Sequence, residues 1–345
     1  MKNILITGNK GYIGSVLEQY LLKDGYNIVG LDNFYYSDCK ISNYESQIKT
    51  IKKDIRSIEK KDIENFDIII HLAALSNDPV GQLNSQLTRD INYKATIKLA
   101  EMSKEKKVKQ FIYFSSQSMY GVSQSKSELD EDDSQKNPIT EYAKTKWDAE
   151  KILRQMGNEN FIVSALRPST VFGPSPYLRT DIVFNNLMSH GFIEKKVIIK
   201  SDGTPIRPVI NIYDVCLAVK ALLETDGHII NNQAYNVGIK NGNFKIKQMA
   251  EMVKLKIPNS EIIYTNEHGN DSRTYAVSFK KIFLSLGAIY KPEWNLDNGA
   301  DDILKYLINI NFTNKDLNSR KTNRLKQINY LIQNKKIDEN LAWIK

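Results

Sequence analysis

The chain has 345 residues, 41% of them hydrophobic and 26% charged, an ordinary balance for a globular protein with room for two lobes. No apolar run reaches the roughly 18 residues that a spanning helix needs, so membrane insertion is not expected. The net charge is +8, yet only nine of the 48 basic residues are Arg, and the lysines are scattered among acids. No basic stripe interleaved with aromatics is present, so nucleic acid is not an expected partner.

Lys2–Ile6 runs straight into a Gly-rich turn, without the longer apolar region of a signal peptide. This start reads as a first core strand, and the protein as cytoplasmic. Ile13, Val16, Leu17, Tyr20 and Leu21 then fall on one face of a helix that stops near Gly25. Ile28–Leu31, Ile68–Leu72, Phe111–Phe114 and Phe161–Leu166 are short and nearly continuous in apolar residues, as strands buried on both faces are. Strand and helix alternating predicts an α/β fold, a doubly wound parallel sheet of the Rossmann type with a smaller mixed α/β lobe. From Leu166 to Pro205 prolines and glycines accumulate and periodic segments become few; Gln233–Val237 returns as a last strand. The expected division is residues 1–166 plus about 211–238 for the sheet lobe, 167–210 plus 239–310 for the second, and 311–345 for a basic helical extension. In residues 312–345, Leu325, Ile328, Leu331 and Ile332 lie on one helical face, expected to pack on the body or on a neighbouring subunit. Cys39 and Cys216 are far apart and outside any Cys/His cluster, which predicts two free thiols in a reducing compartment and no metal site.

The first strand ends in Thr7-Gly8-Asn9-Lys10-Gly11-Tyr12-Ile13-Gly14, a GxxGxxG turn opening a helix. Glycines there allow a tight turn and close approach of a pyrophosphate to the helix N-terminus. Asp32 closes the second strand, with Asn33 beside it. An acid there accepts from ribose hydroxyls and repels a 2′-phosphate, which predicts NAD rather than NADP.

Strand Phe111–Phe114 runs into Ser115-Ser116-Gln117-Ser118, and Tyr142 and Lys146 follow four apart on a helix. Moving a hydride from a carbinol requires removal of the hydroxyl proton. A tyrosine at its usual pKa of ~10 is a poor base; an adjacent ammonium and a cationic nicotinamide are expected to lower it. Ser116 is placed to hydrogen-bond the same oxygen as charge develops.

These motifs resemble the extended short-chain dehydrogenase/reductase family, the nucleotide-sugar epimerases and dehydratases typified by UDP-glucose 4-epimerase. The resemblance rests on Gly8–Gly14, Asp54-Ile55-Arg56, His71-Leu72-Ala73-Ala74, Asn92, Ser116–Gly121, Tyr142–Lys146, Arg167–Pro174, Arg207–Asp214 and Tyr235–Gly238, in family order over about residues 1–310. It implies a catalytic set of Ser116, Tyr142 and Lys146. It implies cofactor contacts from Gly8, Lys10, Gly11, Tyr12, Ile13, Gly14, Asp32, Asn33, Asp54, Ile55, Leu72, Ala73, Ala74, Asn92 and Ser115, with Tyr142 and Lys146. For the substrate it implies Ser116, Gln117, Thr170, Arg207 and Arg273, the two arginines on a diphosphate. The segment Ser175–Asn186 resembles in part a capsule and lipopolysaccharide branch that includes a GDP-heptose 4-dehydrogenase. It offers Arg179 and Asn185 as sugar or phosphate contacts, or as structural residues.

The family's dehydratases carry Asp-Glu directly after the catalytic hydroxyl residue; Gln117 and Ser118 stand there, which argues against 4,6-dehydration. The resemblance implies an NAD-dependent oxidoreductase acting at C4 of a nucleotide-diphosphate sugar in cell-surface polysaccharide synthesis, a 4-epimerase or a 4-dehydrogenase. An NAD(P)H-dependent 4-keto-sugar reductase and a non-catalytic dinucleotide-binding regulator are the alternatives. A homodimer through helices at about 89–106 and 141–156 is expected.

Overall fold

The computed structural model describes residues 2–122, 127–265, 267 and 274–344. The strands among them are β1 (Asn3–Thr7), β2 (Asn27–Asp32), β3 (Thr50–Lys52), β4 (Ile68–His71), β5 (Gln110–Phe114), β6 (Ile162–Pro168), β7 (Thr170–Phe172), β8 (Lys196–Ile199), β9 (Ile206–Asn211), β10 (Gln233–Val237), β11 (Asn243–Lys245) and β12 (Glu261–Tyr264). Seven of them form a parallel sheet in the order β10-β6-β5-β4-β1-β2-β3. This is the doubly wound Rossmann arrangement. A mixed three-stranded sheet, β11-β9-β7, and a parallel pair, β12-β8, make the smaller part.

The strand composition explains the layers. Alternate residues of a strand face opposite sides of the sheet. Ile4, Ile6, Ile70 and Ile112 bury on one face with Val16 and Leu17 of helix Tyr12–Lys23 and Val215 and Val219 of helix Ile212–Glu224. Leu5, Ile69, Phe111 and Tyr113 bury on the other with Leu99 of helix Ala95–Glu105 and Leu153 of helix Glu141–Met156. Strands β4 and β5 are buried at every residue, which is why they read as unbroken apolar runs.

Three features depart from the pattern in the sequence. Strand β3 is absent from it, because Thr50-Ile51-Lys52 is a three-residue edge strand, only half buried, with no apolar run to betray it. The Pro- and Gly-rich stretch after Leu166 contains a full helix, Val183–Glu194, which buries Phe184, Leu187 and Met188. The C-terminal segment is more than one helix. Asn314–Asn318, a 3-10 turn at Arg320–Thr322 and helix Arg324–Gln333 are followed by a bridge between Ile337 and Trp343. Ile328, Leu331, Ile337 and Leu341 join the second of the two cores, so this segment docks against the parallel sheet lobe.

Cys39 and Cys216 are both buried free thiols. Among the described residues no helix is long and apolar enough to cross a membrane.

Candidate active site

The C-terminal ends of β1, β2, β4, β5 and β6 open onto one cleft of about 440 Å3. At its centre Gly8 has φ +77, and a Cβ there would sit 2.9 Å from the Ala73 nitrogen. At Gly14 a Cβ would lie 2.3 Å from the Gly8 oxygen. Any side chain at either position would force the turn away from β4 or from the helix it opens. Gly11, Tyr12 and Ile13 line the cleft beside them.

One end of the cleft is formed by Asp32, Asn33, Asp54 and Ile55. The Asp32 carboxylate accepts from the amides of Phe34 (2.7 Å) and Lys10 (3.0 Å), and burial raises its pKa above the usual carboxylate value. Asn33 donates to Asp54 (3.0 Å), whose carboxylate also takes the Arg56 guanidinium and the Arg56 amide. Leu72, Ala73 and Ala74 pass along the floor. His71, just before them, faces the other way. It is buried, hydrogen-bonded to Thr7 (2.7 Å) and Thr96 (2.8 Å), and kept neutral by burial with a pKa near 3.

The other end gathers Ser115, Ser116, Gln117, Tyr142, Lys146 and Thr170. Ser116 lies two residues beyond β5, where its hydroxyl accepts from the Ser118 amide (3.2 Å) and the Ser118 hydroxyl (2.9 Å). Tyr142 and Lys146 project from one face of helix 141–156, which Thr140 caps through the Ala143 amide (3.2 Å). Lys146 Nζ donates to the Phe114 carbonyl (2.7 Å) and lies 4.9 Å above the Tyr113 ring. Beneath this end, Arg167 of β6 makes a fully buried ion pair with Glu150 of the same helix and donates to the Tyr120 hydroxyl (2.9 Å). That network fixes the helix to the sheet.

The electrostatics correct one expectation. Tyr142 is not lowered in the protein itself: burial pushes it up to about 12, against a hydrogen bond with Ser116 and the attraction of Arg179, with Asp78 and Tyr275 raising it further. Lys146 is itself pushed down to about 7 by burial. Desolvation is the largest cause for both groups.

Three residues expected at the site do not line the cleft. The Lys10 side chain turns to Glu18 (3.7 Å), leaving only its amide toward Asp32. Asn92 is buried and bonded to the Leu75 amide (2.8 Å) and carbonyl (3.1 Å), so it shapes the floor from behind. Asn185 is fully buried, accepting from Gly173 (3.0 Å) and donating to the Tyr12 hydroxyl and the Arg179 carbonyl (both 3.0 Å). Arg273 lies outside the described residues. Arg179 and Arg207 do line the cleft, and Arg179 is clamped on Asp181 (2.8 and 3.1 Å).

Tyr35, Tyr36, Asp78, Asp181, Tyr275 and Arg324 also line it, and sequence reasoning singled out none of them as site residues. The stretch Asn33–Tyr36 follows Asp32 directly, and that adjacency was an available signal for the two tyrosines. Arg324 gives no local signal, because nearly 300 residues separate it from the loop that it touches.

The chain matches the model of the NAD dependent epimerase/dehydratase family over residues 4–238. It belongs to that family. The mouse dTDP-D-glucose 4,6-dehydratase is 30% identical over 314 residues, covering 85% of this chain and 85% of the mouse protein. A UDP-glucuronate 4-epimerase of Thermodesulfobacterium geofontis is 27% identical over 310 residues, covering 86% and 93%. The crystal structure of the UDP-glucuronic acid 4-epimerase from Bacillus cereus, in complex with UDP-glucuronic acid and NAD, superposes with a TM-score of 0.77 at 27% identity, covering 89% and 99%. This chain is thus an NAD-dependent enzyme of the epimerase/dehydratase group. The cleft fits NAD on its own terms: Ser115 Oγ, Gln117 Oε1 and Arg324 Nη1 are buried groups of its wall without a hydrogen-bond partner among the described residues.

Proposed function

We propose that the enzyme oxidises C4 of a nucleoside-diphosphate sugar and returns the hydride to the opposite face, acting as a 4-epimerase in cell-surface polysaccharide synthesis. The supporting observation is that Ser116, Tyr142 and Lys146 meet at one end of a cleft whose other end is bordered by Arg324 of the C-terminal segment. A cofactor held from both ends favours a redox cycle that starts and ends on the same molecule.

NAD, when bound, accepts the hydride and gives it back. The protein handles the proton. Tyr142 as phenolate takes the proton of the C4 hydroxyl, and Ser116 hydrogen-bonds the same oxygen while the carbonyl forms. Reversal on the other face returns the proton from Tyr142. Lys146, whose pKa burial brings down to about 7, supplies positive charge beside that site to the extent that it is protonated. Asp32 favours NAD, since a 2′-phosphate would meet its carboxylate. Dehydration is disfavoured. The Gln117 amide is anchored on the Arg167 carbonyl (3.0 Å) and Ser169 (3.2 Å), Ser118 is a hydroxyl, and neither supplies an acid.

In this reading residues 1–166 with 211–238 hold the cofactor, and 167–210 with 239–310 hold the sugar nucleotide through Thr170, Arg179, Arg207 and Arg273. The same reading makes the protein a homodimer through helices at about 89–106 and 141–156, which sedimentation would check.

The test is to incubate purified holoenzyme with UDP-, GDP- and dTDP-sugars and follow bound NADH and the configuration at C4. The expected result is a C4 epimer without accumulation of NADH. A 4-keto sugar released with one NADH per turnover would make it a dehydrogenase. Loss of water to a 4-keto-6-deoxy sugar would overturn the reading altogether.

A further inference from the structure

The Arg324 side chain is only 2% exposed, yet it borders the cofactor cleft. Its guanidinium donates to the Tyr177 carbonyl (3.1 Å) and stacks 4.2 Å over the Tyr36 ring, while Nη1 has no partner among the described residues. The nearest carboxylate, Asp181, is already clamped by Arg179; it gives Arg324 only a contact with the backbone amide (3.3 Å). Two buried guanidiniums therefore share one carboxylate, and the cluster carries a net positive charge. Burial and the nearby Arg179 depress the Arg324 pKa by more than Tyr36, Asp181 and Cys39 raise it. A buried charge is tolerated when an anion pairs with it.

The position says which anion. Arg324 lies against the ring of Tyr36, four residues beyond Asp32 at the ribose end, and lines the same cleft as Gly11, Tyr12 and Ile13. The helix N-terminus at that glycine turn takes the diphosphate of a dinucleotide. We propose that Arg324, delivered by the C-terminal segment, pairs with the cofactor's diphosphate and makes retention of NAD depend on that segment. Family resemblance over residues 1–310 assigned the segment no role. The rest of it supports the placement. Gln327 donates to the Tyr35 carbonyl (2.7 Å) and to Asp38 (2.8 Å), and the Tyr35 hydroxyl donates to the Leu341 carbonyl. The loop that follows Asp32 is thereby tied to the chain terminus at both ends of the segment. The proposal rests on NAD binding alone and does not depend on which sugar is the substrate.

The experiment measures NAD copurifying with wild type and Arg324→Gln, then titrates the stripped proteins with NAD, ADP-ribose, adenosine and UDP. Loss of a charged hydrogen bond predicts affinity for NAD and ADP-ribose lower by about tenfold to a hundredfold, with adenosine and UDP unchanged. Unchanged NAD affinity would overturn the proposal, and so would a loss confined to UDP, which would place Arg324 on the substrate. Should Arg324→Gln not fold, Arg324→Lys keeps the charge and most of the stem but loses the fork. A severalfold weaker NAD complex is then expected, and wild-type affinity would again overturn it.

Discussion

The two ends of the cleft handle charge in opposite ways. At the hydride end, Tyr142 and Lys146 are stripped of water and given neutral partners, a hydroxyl and a backbone carbonyl, so both are pushed toward their uncharged forms. At the adenosine end, charges are kept and matched, as Asp54 is with Arg56. Arg324 is the exception there. The hydride end is poised to acquire charge in the reaction; the adenosine end is a fixed binding frame. Each prediction below separates chemistry from holding.

The largest effect is expected at Tyr142. Tyr142→Phe removes the hydroxyl placed to take the C4 proton while leaving the ring that fills the wall. Turnover should fall by at least about a thousandfold, the upper range for loss of a general base, with NAD affinity within about twofold of wild type. Substantial residual turnover would mean that another group moves the proton. Because burial holds the phenol up near 12, the wild-type rate of sugar oxidation should climb with pH through the neutral range, as the phenolate fraction grows.

Lys146 gives the next contrast, in stability. Its folded pKa is near 7, against about 10.4 in an unfolded chain. Between those values the unfolded state binds a proton that the folded state does not, so this residue makes stability rise with pH across that window. Below about pH 7 the buried ammonium carries its full penalty. In the cofactor-free protein, Lys146→Met should therefore be more stable than wild type at about pH 6, by up to several kcal/mol, and the gap should close toward about pH 10. Urea melts at three pH values measure this. A variant less stable at every pH would show that the amine's hydrogen bond to Phe114 outweighs its desolvation. Turnover should drop in the same variant, so stability and activity move in opposite directions.

The same contrast explains what the sequence reveals. The hydride end is assembled from strand ends and one helix, each carrying its chemistry in a short stretch: Ser115–Ser118 after an apolar run, and Tyr142 and Lys146 one turn apart. Local spacing fixes those geometries, and the parallel sheet follows from its unbroken apolar strands. The adenosine end is half legible. Gly8, Gly14 and Asp32 announce themselves through turn chemistry and strand position. The walls contributed by Tyr36, Asp181 and Arg324 do not, because they meet only through contacts between distant parts of the chain. Asn185, read as either a contact or a structural residue, takes the structural role for the converse reason. Its spacing resembles that of a contact residue, while its amide is fully engaged by Gly173, Tyr12 and Arg179. Spacing reports which residues are near in the chain, and says nothing of which hydrogen bonds are already made.

Trp343 tests the adenosine frame most gently. Its indole nitrogen donates to the Asn33 carbonyl (2.7 Å) and side-chain oxygen (2.6 Å), its ring packs 6.0 Å from Tyr35, and Lys52 lies 4.9 Å above it. None of these groups belongs to the hydride end. Trp343→Ala should cost about 1–2 kcal/mol of global stability, from one lost hydrogen-bonded contact and one aromatic pair. It should speed NAD dissociation by roughly tenfold, because the loop carrying Asn33 loses its outer restraint. With saturating NAD, turnover should be unchanged, since Ser116, Tyr142 and Lys146 are untouched. Stopped-flow displacement of NADH by excess NAD reads the rate of release. If turnover fell at saturation while release stayed slow, the terminal segment would be shaping the hydride end instead, and the two ends of the cleft would not be the separable units that their electrostatics indicate.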